Sequence, residues 1–488
     1  MRTQHAAKMP FLAAMQSYLA EAVTPFHTPG HKFGKGAHES LQQFVGKSAL
    51  SLDLTCVPGL GDLFDKRGPI QESQRQAAEL YGADASYYLI NGTTGGIYAM
   101  ILATVGPGDK IIVPRNIHRS VMGGLILSGA IPVFVSPAID SQLQIAMNTT
   151  AENYATAMQL HPDAKAVLLL NPTYYGVVTE IAKITEQAHQ MGMVVLVDEA
   201  HGPHLHFSSA LPLQAINAGA DIVVQSTHKI LAAMSQASIL HCCRERINVA
   251  RLESMLQLVQ SSSPNYLLLA SLESAVAQLT EAGPRLVDQS VSLAVQARER
   301  INQIGRLYCF GAEKVGQPGV SGLDATKLTV TVRGLGICGN TAETWLRQYG
   351  KVQAELSDIN NVLFLVTLAD DAASVNQLVA ALTGLAAAFS ERESTVSFPD
   401  PPSAEPVTLA AMSPRDAALG THKTVDFDAA DGHICGETIT SYPPGIPLLF
   451  PGERITSAAI AYCRAIQKQG FKILGPTDPS LLSVEVVA

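Results

Sequence analysis

Between Val194 and Lys229 the chain carries two short apolar runs that each stop at reactive side chains. The first, Val194-Val195-Leu196-Val197, ends at Asp198-Glu199-Ala200-His201-Gly202, and the second, Asp221-Ile222-Val223-Val224, ends at Gln225-Ser226-Thr227-His228-Lys229. β-Branched runs of this length, bounded by polar and glycine-containing segments, read as strands buried on both faces. In an open α/β sheet the carboxyl ends of such strands line the ligand crevice. An Asp, a His, a Ser and a Lys are thus expected in one crevice. That set suits pyridoxal phosphate: the lysine amine holds the aldehyde as a Schiff base, and the carboxylate keeps the pyridine nitrogen protonated so that the ring accepts electrons.

The segments before it fit the same sheet. Ala85 to Ile90 reads as a strand, Asn91-Gly92-Thr93-Thr94-Gly95-Gly96 as a turn, and Ile97 to Leu102 as a helix. A strand, a glycine-rich turn and a helix aim free N–H groups and a positive dipole end at an anion, and Thr93 and Thr94 add hydroxyls; phosphate is the expected guest at Gly92 to Thr94. Lys110 to Pro114 reads as a strand running into Arg115-Asn116-Ile117-His118, which puts an aromatic plate, His118, at a strand end. With Ile131 to Val135 and Ala166 to Leu170 as further strands, the fold class is α/β, with a mainly parallel, doubly wound sheet.

Outside that sheet, Phe11, Leu12, Met15 and Leu19 share one helical face over residues 8–22. Helical sequence runs from about Leu267 to Leu279 and again from Pro284 to Ile304. Residues 306–385 mix isolated strands with helices as a smaller α+β domain. The proline-rich stretch 394–406 reads as a linker. The expected divisions are an N-terminal arm (1–50), a cofactor-binding large domain (51–295), a small α+β domain (296–393), the linker (394–406) and a C-terminal α+β module (407–488).

Composition narrows the partners. Lys plus Arg total 33 against 42 Asp plus Glu, a net charge of -9 with no long basic run, so nucleic acid and anionic membrane are poor partners. A hydrophobic fraction of 47% with 15% charged residues favours an oligomer that hides apolar surface. Seven cysteines with irregular spacing and no C-x-x-C suggest reduced thiols. No apolar run approaches the ~18 residues of a spanning helix, and no secretory leader is apparent, so a cytoplasmic location is expected. His201, His204 and His206 have a spacing that zinc could use, but no thiolate or carboxylate completes the set, and no metal is expected.

The ordered set Thr28-Pro29-Gly30-His31-Lys32, Asn91-Gly92-Thr93-Thr94-Gly95, Arg115-Asn116-Ile117-His118-Arg119-Ser120, Asp198-Glu199-Ala200-His201, Ser226-Thr227-His228-Lys229, Tyr442-Pro443-Pro444-Gly445-Ile446-Pro447 and Pro451-Gly452-Glu453 resembles the bacterial ornithine/lysine/arginine decarboxylases. These are pyridoxal-phosphate enzymes of the aspartate-aminotransferase fold (fold type I). The resemblance spans nearly the whole chain and matches the family's short form, without the added N-terminal receiver-like domain.

It implies Lys229 as the Schiff-base lysine, Asp198 as the pyridinium partner and His118 as the ring plate, these three being the catalytic set. It implies phosphate contacts from the Gly92-Thr93-Thr94 turn, Ser226 and His228, with His201 close to the ring or its phenolic oxygen. The arm around Thr28 to Lys32 is expected over an active site at a dimer interface. The implied reaction is decarboxylation of a basic amino acid, arginine favoured over lysine and ornithine, in polyamine formation; transamination or a non-catalytic regulatory role are the alternatives. Asp62, Glu437 and Glu453 are the acidic candidates for the distal cation of the substrate, Glu437 foremost.

Overall fold

The computed structural model describes residues 9–392, 405–442, 447–468 and 470–488. The main sheet is built from β1 (Ala85–Leu89), β2 (Lys110–Pro114), β3 (Ile131–Val135), β4 (Ala166–Leu170), β5 (Val194–Asp198), β6 (Ile222–Gln225) and β7 (Ser238–Cys242). The small domain adds β8 (Tyr308–Cys309), β9 (Lys327–Thr331), β10 (Leu356–Ser357) and β11 (Asn361–Leu365), and β12 (Val407–Leu409) follows. The eight-stranded sheet runs β1-β7-β6-β5-β4-β2-β3-β12. Its centre is parallel from β6 through β5, β4 and β2 to β3, whereas β7 and β12 pair antiparallel.

The relevant helices are α1 (Pro10–Ala20), α2 (Gly92–Thr104), α3 (Arg119–Ser128), α4 (Ala151–Leu160), α5 (Ile181–Gln190), α6 (Val249–Val259), α7 (Tyr266–Ile301), α8 (Ala372–Ala388) and α9 (Ser457–Lys468). Side chains alternate across a strand, so a buried strand must satisfy two cores. Ile111, Leu168, Leu196 and Ile222 pack with α2, α3 and α6 on one face. Ile112, Val167, Leu169, Val195 and Val223 pack with α4 and α5 on the other. This is why these strands read as continuous apolar runs. Gly96 lets α2 lie on the sheet: a Cβ there would come within 2.6 Å of Leu89 Cδ1 and 2.8 Å of Val224 Cγ1.

The helix expected to be interrupted near Pro284 is continuous. α7 holds 36 residues with Pro284 inside it, and Gly283 before the proline admits the Phe207 ring. A single proline removes one helical hydrogen bond, and burial along both halves of α7 outweighs that. Tyr266, Leu269 and Leu272 join a core under α1, and Ala294, Ala297 and Ile301 join the small-domain core. The expected division between residues 295 and 296 therefore falls inside one element that belongs to both domains.

In the small domain, β9 and β11 form the centre of a four-stranded sheet covered by α7 and α8. Most of the expected linker, residues 394–404, lies outside the described residues; Pro406 accepts from the Ser136 N–H, and β12 then pairs with β3. The C-terminal module packs Phe427, Ile439, Ile455 and Ile466 of α9 into a core of its own. Of its expected proline turn, residues 443–446 lie outside the described residues.

Candidate active site

β1, β2, β4, β5 and β6 all point the same way, so their carboxyl ends open on one rim of the sheet. From that rim β5 delivers Asp198 and His201, β6 delivers Ser226 and Lys229, β1 delivers Gly92, Thr93 and Thr94, and β2 delivers His118. The structure brings the core of the expected set together. Lys229 Nζ lies 2.8 Å from His201 Nε2 and 5.5 Å from the centre of the Tyr174 ring. The Tyr174 and His201 rings are 4.7 Å apart, tilted by 58°.

Burial controls the electrostatics. The Lys229 amine is pushed below its ordinary value by burial, with Asp198 and Glu355 acting against that. Burial pushes the Asp198 carboxyl up, opposed by Lys229 and by the Ala200 N–H that Asp198 Oδ1 accepts at 3.1 Å. A buried carboxylate with one N–H bond is suited to a cationic partner. His201 is held well below its usual value by burial, then by Lys229, Lys327 and His118, so its ring is neutral. His201 Nδ1 is buried without a partner among the described residues.

His118 is the N-cap of α3: its Nδ1 accepts from the Ser120 N–H at 3.2 Å, which fixes the ring at the crevice. Burial, then Lys229 and Arg119, lowers it to about 4, and it too is neutral. His228 Nδ1 donates to the Ala237 carbonyl at 2.9 Å, leaving Nε2 for a ligand.

Three hydroxyls meet where α2 begins. Thr93 Oγ1 is hydrogen-bonded to Ser226 Oγ and lies 3.0 Å from Ser238 Oγ. From the sequence, Ala232 to Ser238 reads as a run of small residues before a strand, suited to close packing against a cofactor, and gives Ser238 no phosphate contact. β7 runs against its neighbours and its first residue pairs with Leu89, so it is the start of β7 that meets the rim. Glu355, just before β10, was also missed: it is exposed, and its charge acts on both His228 and Lys229. No motif surrounds it, and only the packing of the small domain brings it there.

The acidic candidates named from sequence are engaged elsewhere. Glu437 accepts the Thr477 N–H at 2.6 Å and the Glu485 N–H at 2.9 Å, which ties the C-terminal module together. Asp62 accepts the Phe64 N–H at 2.9 Å within its own turn. Glu453 is paired with Arg115, three residues before His118. His204 donates to Asp324 Oδ2 at 3.0 Å and His206 packs beside Tyr81. Among the described residues no group of three His, Cys, Asp or Glu could hold a metal.

This chemistry fits pyridoxal phosphate: a buried amine, a buried carboxylate, a neutral ring with an unpartnered N, and three hydroxyls at a helix N-terminus. Residues 9–374 match the profile of the Orn/Lys/Arg decarboxylase major domain and residues 399–475 that of its C-terminal domain. The chain is 40% identical to the arginine decarboxylase of Bacillus subtilis over 490 residues, covering 99% of this chain and 98% of that protein. It is 41% identical to the arginine decarboxylase of Halalkalibacterium halodurans over 481 residues, covering 98% and 97%. The fold matches the crystal structure of the lysine decarboxylase LdcF of Francisella novicida with a TM-score of 0.83 at 20% identity, over 99% of this chain and 82% of that one. The major-domain match spans Lys229, Asp198 and His118, and the chain belongs to the Orn/Lys/Arg decarboxylase family.

Proposed function

We propose that this protein converts arginine to agmatine and CO2 with pyridoxal phosphate carried on Lys229. The observation that carries the reading is the convergence of the Lys229 amine, the Asp198 carboxylate and the His201 ring at one rim, beside the Thr93, Ser226 and Ser238 hydroxyls. When bound, pyridoxal phosphate supplies a cationic conjugated ring that takes up the electron pair left when the substrate carboxylate departs as CO2. Asp198, buried at the rim, would keep a proton on the ring nitrogen by charge pairing. His118 would pack against the cofactor ring, and Gly92, Thr93, Thr94, Ser226, Ser238 and His228 Nε2 would hold its phosphate.

Lys229 Nζ and His201 Nε2 share one proton, and burial shifts the amine toward the neutral form that attacks. The Tyr174 ring lies beside both the amine and the His201 ring. Glu355, exposed and near enough for its charge to act on Lys229, takes the place of Glu437 as the group that meets the distal cation of the substrate. Arginine is favoured over lysine and ornithine by the two relatives named arginine decarboxylase. The active form is a homodimer or an assembly of dimers with the site at the interface, which the exposed Phe26 (94%) and Phe44 (91%) of the N-terminal region support. The protein acts in the cytoplasm, in polyamine formation; among the described residues no helix is long and apolar enough to cross a membrane.

The test is amine and CO2 release from arginine, lysine and ornithine in parallel, with pyridoxal phosphate present. Agmatine from arginine, ahead of the other two, is the expected result. Cadaverine or putrescine instead reassigns the substrate. An amino group passed to a keto acid without CO2 makes the protein an aminotransferase. Silence on all three, with borohydride still fixing the cofactor to Lys229, overturns the reaction and leaves the cofactor site.

A further inference from the structure

A buried charged cluster of the small domain reaches behind the active site. Lys327, the first residue of β9, is fully buried, and its Nζ donates to Asp324 Oδ2 at 2.6 Å, to Thr326 Oγ1 at 3.2 Å and to the His201 carbonyl at 3.3 Å. Asp324 is fully buried as well: its Oδ1 accepts the Thr326 N–H at 3.0 Å and the Thr326 hydroxyl at 2.7 Å, while Oδ2 also accepts from His204 Nε2. His204 lies in the same turn as His201, so the cluster grips that turn twice, once at a carbonyl and once at a ring.

The packing leaves the cluster no slack. Gly176, with φ +84°, lies against it, and a Cβ there would come within 2.9 Å of both the Asp324 carbonyl oxygen and Lys327 Cγ. The Asp324 N–H donates to the Gly176 carbonyl at 2.8 Å. A buried ion pair adds little net stability compared with apolar residues of equal volume, so its use is more often to fix a geometry.

We infer that Lys327, oriented by Asp324 and His204, is a positioning residue that holds the His201 main chain, and through it the imidazole, against Lys229. The inference rests on the functional reading above, in which Lys229 and His201 share a proton. The groups facing the His201 ring and carbonyl are Lys229, His118, Lys327 and Asp324, beside the Tyr174 ring. With Lys327 removed, a cation that lowers both His201 and Lys229 is lost, so both titrate at higher pH.

The experiment compares wild type, Lys327→Met, Lys327→Arg and the charge-free pair Lys327→Met with Asp324→Leu, each as the full chain loaded with pyridoxal phosphate. The readout is the pH midpoint of the visible absorbance of the bound cofactor, followed by kcat and KM for arginine. Lys327→Met is expected to raise the midpoint by about half a pH unit or more and to lower kcat about tenfold with KM little changed, and Lys327→Arg to recover part of both. A folded, loaded Lys327→Met protein with the wild-type midpoint and kcat overturns the inference. If Lys327→Met does not fold, the charge-free pair decides by turnover, and a folded, loaded pair with the wild-type kcat overturns the inference. Absence of CO2 release from the wild type refutes the functional reading, and the absorbance midpoint alone then judges the positioning role.

Discussion

Arg115 Nη2 donates to Glu453 Oε2 at 3.0 Å across a separation of 338 residues, with the guanidinium carbon 4.1 Å from the centre of the Phe450 ring. The same guanidinium donates to the Pro447 and Leu448 carbonyls, so the residue that precedes the His118 loop is also the anchor of the C-terminal module. Glu453→Gln leaves a largely buried cation without its counter-charge and is expected to cost about 3 kcal/mol. Urea unfolding of wild type and variant at neutral pH measures it, and equal midpoints with equal slopes would refute the anchor.

Acid is expected to weaken the fold through two buried histidines. His118 is lowered to about 4 and His241, buried with Ser86 and Gln225 on its two nitrogens, to about 3. Between the unfolded histidine value near ~6.5 and these values, the unfolded chain binds protons that the folded chain refuses, so stability falls as pH falls. Each ring contributes about 1.4 kcal/mol per pH unit across that window. Above it neither ring contributes. Thermal midpoints between pH 7 and 5 give the slope, and His241→Asn should flatten it.

Ser238→Ala should lower the affinity of the stripped protein for pyridoxal phosphate about tenfold, the loss of one hydrogen bond to a charged group. Titration of the apo protein by absorbance checks this. An unchanged affinity would take Ser238 out of the phosphate site.

Glu355→Gln is expected to raise KM for arginine about tenfold with a smaller effect on kcat, since it removes ground-state attraction for a distal cation. The same change in Glu437 leaves one acceptor for the two N–H groups of Thr477 and Glu485, so it should act on stability and leave KM unchanged. The two variants together separate a substrate contact from a structural one.

Gly96→Ala places a methyl group against Leu89 and Val224, both buried in the sheet, and should cost about 1–3 kcal/mol. Loss of cofactor should accompany it, because α2 carries Thr93 at its first turn.

What was legible in the sequence follows from what a strand writes into it. Asp198, Ser226, Lys229, Thr93 and His118 could all be placed because each follows an apolar run whose length and boundaries mark a strand end. Ser238 escaped because strand direction is not written in composition: only pairing with Leu89 and Ile239 with Gln225 shows that β7 is reversed. Continuity of α7 through Pro284 escaped because a local rule about proline was overridden by burial far along the helix. Glu355, Lys327 and the Arg115 to Glu453 link are tertiary, each depending on a surface brought up from a distant part of the chain.

The pairing of β12 with β3 bears on how this protein can be dissected. Val407 to Leu409 covers the outer side of Ile131 to Val135, a β-branched strand whose far neighbour is β2. A chain ended at residue 392 would bare a row of unpaired peptide groups along that strand, a template for other copies. The shortened protein should therefore aggregate through its sheet margin, and the last part of the chain serves as a selvedge that stops the weave of the large domain from running on into its neighbours.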